Sequence, residues 1–141
     1  MTFEFIQATE SDKDYLLELR KKTMTKYLEM AGQVLSDQEH VERLNHKYEC
    51  SYLVLLKNVR IGFVKYLVTE KELKLIQIQV EPKSQGKGYG TGIIRKVMNF
   101  GKDKPIKLSV LKHNPATELY KRLGFQTVSE DKYEYHMQYE H

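Results

Sequence analysis

Cysteine is nearly missing from this sequence: Cys50 stands alone among 141 residues. A single thiol closes no internal disulfide and builds no cysteine zinc site, which agrees with a reducing compartment. No stretch approaches the roughly 20 apolar residues that span a bilayer. MTFEFIQATE also lacks the basic-then-apolar order of a secretory signal. The expectation is a cytoplasmic protein with no membrane partner. Repeats, low-complexity tracts and linkers are absent too, so one domain over residues 1–141 is expected. Charge excess is small, 23 basic against 19 acidic residues for a net +4. With no reading motif and no aromatics interleaved on a basic face, nucleic acid is not expected as a partner. The basic residues do thicken in the second half, between Lys83 and Arg122, and that asymmetry calls for an anionic partner.

What is present reads as alternating strands and helices. FEFIQA (Phe3 to Ala8) alternates apolar and polar like a first strand. SDKDYLLELRKKTMTKYLEM predicts a helix, with Ser11 and Asp14 as its capping box and Tyr15, Leu16, Leu19, Thr23, Tyr27 and Leu28 at helical spacing; Gly32 closes it. Ser36 and Glu39 announce a second helix, with Val41, Leu44 and Tyr48 on one stripe. SYLVLLK and RIGFVKYLVTE read as strands of an antiparallel hairpin, joined by a short turn over Lys57, Asn58, Val59 and Arg60.

A longer strand from Glu72 to Val80 reaches the glycine-rich stretch through Glu81 and Pro82, and Ile93, Ile94, Val97, Met98 and Phe100 then mark a helix. IKLSVLKH is a strand, Asn114 and Pro115 open a helix that stops at Gly124, and QTVSE and KYEYHMQY finish as strands. The order β-α-α-β-β-β-α-β-α-β-β is that of an α/β sheet of mixed direction. Glu72 to Val80 and Ile106 to Leu111 should be parallel neighbours with a right-handed crossover.

The stretch SQGKGYGTG (Ser84 to Gly92) holds four glycines in nine positions between a strand and a helix. It completes neither a Rossmann Gly-x-Gly-x-x-Gly frame nor a Walker Gly-x-x-x-x-Gly-Lys-[Ser/Thr] loop. What remains is a Gln-x-x-Gly-x-Gly arrangement, Gln85 to Gly90. It suits an anion such as pyrophosphate held on the unpaired amides of a helix start, or else it is an ordinary glycine-rich turn.

Two segments carry a family resemblance. IQIQVEPKSQGKGYGTGIIRKVMNF and LSVLKHNPATELYKRLGFQTV together resemble the two signatures of the GNAT superfamily of acyl-CoA-dependent N-acyltransferases, over Glu72 to Val128. The N-terminal half matches in element order alone. The resemblance implies a mixed central sheet of about seven strands flanked by four helices. It implies acetyl-CoA as co-substrate, with no metal. Gln85, Gly86, Lys87, Gly88, Tyr89, Gly90 and Thr91 would bind the coenzyme pyrophosphate. Ile78, Gln79 and Val80 would hydrogen-bond pantetheine, and Asn114 would contact the same arm.

Acyl transfer to an amine needs a neutral nucleophile, a polarised carbonyl and a proton for the departing thiolate. By resemblance Tyr120 is that general acid, and the amine attacks directly in a ternary complex. The base stays open, because the strand offers Gln77 and Gln79 where family members often place a carboxylate. Glu72, Glu81, Glu39, His46, Tyr66 and Tyr135 are the remaining candidates. The acceptor would be a small-molecule or peptide amine, bound by the first two helices, the connection from Met30 to Leu35, and Tyr133, Tyr135 and His136. A homodimer is compatible with the family. The alternative is an acyl-CoA-binding module of the same fold without turnover.

Overall fold

The computed structural model describes residues 2–141. Strand β1 (Phe3–Gln7) is followed by helices α1 (Lys13–Met30) and α2 (Asp37–Asn45), then strands β2 (Ser51–Leu56), β3 (Val59–Val68) and β4 (Leu73–Val80). Helix α3 (Tyr89–Phe100), strand β5 (Ile106–Leu111), helix α4 (Ala116–Arg122) and strands β6 (Gln126–Glu130) and β7 (Glu134–Tyr139) complete the chain. The seven strands form one sheet in the order β1-β2-β3-β4-β5-β7-β6. Only β4 and β5 run parallel, as expected of a pair joined through one helix.

Two apolar clusters lie on opposite faces of this sheet. Leu16 and Leu19 of α1 and Leu44 of α2 pack on Leu53 and Phe63. Ile93, Ile94 and Val97 of α3 and Tyr120 of α4 pack on Val64, Leu75, Leu108 and Val110. No helix among the described residues is long and apolar enough to cross a membrane.

Local chemistry sets the element ends. α2 begins at a capping box in which Ser36 Oγ accepts from Glu39 N at 3.1 Å and Glu39 Oε1 accepts from Ser36 N at 3.0 Å. At α1 the pairing falls two residues earlier than Ser11 and Asp14: the Thr9 amide donates to Asp12 Oδ2 at 2.8 Å, and a 3-10 turn at Glu10–Asp12 precedes the helix. Both pairs satisfy one Ser/Thr-x-x-Asp pattern, so spacing alone does not choose between them. The β2–β3 turn is tighter than expected. Lys57 and Asn58 alone turn, both at positive φ, and Val59 already pairs with Leu56. α4 starts at Ala116, whose amide donates to Asn114 Oδ1 at 2.9 Å.

The site is prepared by a break in the sheet. β4 pairs with β5 only at Leu73–Ile106, Lys74–Lys107 and Leu75–Leu108. Directly beyond Leu75 the β3–β4 register slips, with Tyr66 opposite Leu75 and Lys65 opposite Gln77, so that Ile76 is an extra residue. Such a bulge bends a strand and ends pairing. The strands therefore part, and the bulge turns Gln77 and Gln79 to the face of Lys65 and Phe63, beneath α1 and α2. Gly62 admits this path, since a Cβ there would collide with the Gln79 carbonyl oxygen.

Candidate active site

Two cavities open where β4 leaves β5. The first, of about 340 Å³, lies between the end of β4, the glycine-rich loop, the start of α3, and α4. Ile78, Gln79, Val80, Gln85, Gly86, Gly88, Tyr89, Gly90, Thr91, Asn114 and Tyr120 all line it, as expected of a ligand cleft built from those positions. Lys87 does not: its side chain is exposed and outside the lining. Thr23, Met24 and Tyr27 of α1 form the opposite wall, which the sequence had not marked as lining.

The glycines of this loop differ in their reasons. Gly86 (φ +78°) and Gly88 (φ +79°) adopt the left-handed conformation with open space where a Cβ would be, so backbone torsion requires glycine there. Gly90 has an ordinary helical backbone, and an added Cβ would meet only Leu119 Cδ2 at 3.5 Å. Backbone torsion therefore does not require glycine at this position. Gly92 serves packing, because a Cβ there would collide with the Phe3 ring. No side chain caps α3 behind Gly88. The leading amides of α3, at the positive end of the helix dipole, thus have no side-chain acceptor, and Tyr89, Gly90 and Thr91 line the cleft. Gln85 acts beside them, its Nε2 donating to the Val80 carbonyl at 3.0 Å and tying the loop to the end of β4.

The second cavity, of about 280 Å³, lies under α1 and α2 and shares Met24, Ile78, Gln79, Asn114 and Tyr120 with the first. Tyr120 is thus at the junction. Its ring packs edge-on against Phe125 at 5.7 Å, and burial pushes the hydroxyl pKa well above the usual tyrosine value. That hydroxyl stays protonated at neutral pH and can donate.

The rest of the second cavity is mixed, with Leu75, Ile76, Leu108, Val110 and Leu111 beside polar side chains. Arg20, Arg43, His46, Gln77, Ser109 and Glu134 line it. Ser109 on β5 and His136 on β7 are register partners, with Ser109 Oγ 2.7 Å from His136 Nδ1 and His136 Nε2 2.9 Å from Asp131 Oδ2. With the carboxylate accepting from Nε2–H, Nδ1 is left to accept from the serine. Two amides, Tyr133 N and Glu134 N, donate to the other Asp131 oxygen and hold its carboxyl below the usual range.

The remaining base candidates other than His46 are engaged elsewhere. Glu81 accepts from Tyr15 at 2.9 Å, Glu72 pairs with Lys107 at 3.7 Å, and Glu39 caps α2. Tyr66 stacks between Tyr52 and Phe100 on the opposite face, and Tyr135 carries Lys112 over its ring. His46 lines the cavity from the end of α2, which Lys65 fixes in place. Lys65 Nζ, fully buried, donates to the Arg43, Leu44 and His46 carbonyls at 3.3, 2.9 and 2.6 Å. Among the described residues no group of three or more histidine, cysteine or acidic side chains is gathered as a metal site.

A family model described as an acetyltransferase (GNAT) domain matches residues 48–127, more than half of the chain. The chain belongs to the GNAT acetyltransferase family. Solved GNAT structures share its whole architecture at low identity. The PaiA N-acetyltransferase of Thermoplasma acidophilum, in complex with coenzyme A, is 15% identical with a TM-score of 0.76, covering 100% of both chains. An acetyltransferase of Thermus thermophilus is 16% identical with a TM-score of 0.78, covering 98% of this chain and 96% of its own. Arabidopsis thaliana Naa50, in complex with the bisubstrate analogue CoA-Ac-MVNAL, is 14% identical with a TM-score of 0.69, covering 100% of both. No curated protein matches the sequence. At these identities the structures establish the GNAT fold, and this GNAT domain's acceptor must be read from its own residues.

Proposed function

We propose that this protein is an acetyl-CoA-dependent N-acetyltransferase acting by direct transfer, with residues 1–141 as a single domain. The observation that carries this reading is the meeting of two cavities at Tyr120, one at the uncapped start of α3 and the other lined in part by polar side chains. The first fits the coenzyme: two left-handed glycines shape the turn that leaves the first amides of α3 open to a pyrophosphate. Gly86, Gly88, Tyr89, Gly90 and Thr91 hold that group, Ile78, Gln79 and Val80 offer unpaired strand edge to the pantetheine arm, and Asn114 contacts it. Gln85 supports the loop from behind.

Acetyl-CoA supplies an acyl group already activated as a thioester, so no protein nucleophile is needed. Tyr120 gives its proton to the departing sulfur. Ser109 takes the proton of the attacking amine and passes its own to His136 Nδ1, while Asp131 steadies the imidazolium. This couple takes the place of the strand carboxylate that β4 lacks.

The test is thiol release from acetyl-CoA with a panel of amines, beside calorimetric titration of the coenzyme. Amine-dependent thiol release with an N-acetylated product is expected. Coenzyme binding with no release for any amine would leave a binding module in its place.

A further inference from the structure

We propose that the acceptor is a small amine that also carries an anionic group, a carboxylate or a phosphate, gripped by Arg20 and Arg43. This rests on the transferase reading above and names the substrate class of its second cavity.

Arg20 is 2% exposed and sits on the apolar stripe of α1 between Leu16 and Leu19 on one side and Leu28 on the other. Buried arginines are paired, because an isolated buried charge is costly. Arg20 is not paired with an acid. Its Nε–H donates to neutral His40 Nδ1 at 3.1 Å, and neither Arg20 nor Arg43 joins any ion pair among the described residues. Arg43 has one long contact, from Nη2 to Gln33 Oε1 at 3.4 Å. Both residues line the cavity.

The surroundings sharpen the imbalance. Burial and then repulsion from Arg43 lower the Arg20 pKa to about 10, which still leaves it cationic at neutral pH. Lys65 and His40 are pushed down by burial and by Arg20 in turn. Glu134 is the one carboxylate lining the cavity, and it pairs with neither arginine. Among the described residues these two guanidinium groups are therefore left without an ion-paired carboxylate, and the planar forks match carboxylate and phosphate oxygens.

The other end of the cavity has the opposite need. Gln79, 6% exposed and shared by both cavities, holds a buried Oε1 with no hydrogen-bond partner. A buried orphan acceptor fits an incoming N–H. The amine thus belongs at Gln79 beside Tyr120, with the anion toward α1 and α2. A cavity of about 280 Å³ takes a group of small-molecule size.

The test compares matched pairs with saturating acetyl-CoA: amino acids against their amides, and aminoalkyl phosphates against the parent amino alcohols. The anionic member is expected to show kcat/KM about 10- to 100-fold above its neutral partner, and the better arm identifies carboxylate or phosphate. Arg43→Gln, at an exposed position, should collapse that ratio through KM while acetyl-CoA affinity holds. Arg20→Lys keeps a charge but loses the fork, and should reduce the ratio with the melting temperature preserved. Calorimetric binding of the same pairs to the coenzyme-saturated protein reads the arginine pocket without turnover. Anion preference in binding without turnover would overturn the transferase reading and keep the pocket. Equal binding and turnover of charged and neutral partners, or a ratio indifferent to Arg43→Gln, would overturn the pocket and keep the transferase.

Discussion

The Nε–H of Arg20 donates to Nδ1 of His40 across 3.1 Å, so a guanidinium on α1 is aimed by an imidazole on α2. His40 is itself buried, and burial, Arg20, Lys21 and Arg43 lower its pKa. It is the neutral acceptor that Arg20 needs. His40→Phe is expected to raise KM for the amine severalfold, with kcat and acetyl-CoA affinity little changed. His40→Asn, which restores an acceptor, should recover most of the loss. Steady-state kinetics on both variants decides it.

The same imidazole gives a pH dependence. Its folded pKa lies below the reference of about 6.5, so around that range the unfolded chain binds more protons. Stability present above about pH 6.5 is then lost as the pH falls through the folded value. Thermal melting between pH 7.5 and 5 should show a steeper decline for the native protein than for His40→Asn.

Lys65 holds α2 by its C-terminal carbonyls, and Lys65→Met would leave three acceptors unserved at a buried helix end. A loss of about 2–3 kcal/mol is expected in denaturant unfolding. Burial and Arg20 also lower the lysine pKa to about 8, from a reference near 10.5. The unfolded chain therefore holds the extra proton between those values, and this group makes stability rise with pH from about 8 to 10.5. The methionine variant should lack that rise.

Gly88 and Gly90 should separate in calorimetry. Gly88→Val forces a branched residue into φ +79°, costing about 1–2 kcal/mol and turning the α3 amides away from the cleft. A loss of at least about tenfold in acetyl-CoA affinity is expected, since each 1.4 kcal/mol is tenfold. Gly90→Ala meets only Leu119 at 3.5 Å and should fold normally.

Tyr120→Phe keeps the ring against Phe125 and removes only the hydroxyl. Coenzyme affinity should hold while kcat falls about 100-fold or more. Ser109→Ala and His136→Gln should each lower kcat while acetyl-CoA affinity holds. Unchanged kcat would remove the serine and histidine from the proton path.

Much of the proposed donor side was legible in the sequence because it is local. The strand, glycine loop and helix from Leu73 to Phe100 are contiguous, and Asn114 to Phe125 is a second contiguous piece. Periodicity and turn chemistry act over such distances. Lys87 shows the limit: membership in the loop does not say which way a side chain leaves it. The acceptor side was poorly legible. Arg20 left one trace, a charged residue on the buried stripe of α1, whereas Arg43, Ser109 and Glu134 look like ordinary polar positions.

The sequence by itself determined the order of elements, the seven strands and four helices, and the glycine-rich turn before α3, since these follow from spacing and backbone preference. Tertiary structure alone decided where β4 leaves β5, through one extra residue at Ile76. It also decided that Arg20 and Arg43 share a cavity and that Ser109 meets His136. Those meetings join residues 23 to 27 positions apart, and only strand register and helix packing, set by burial over the whole sheet, bring them within bonding reach.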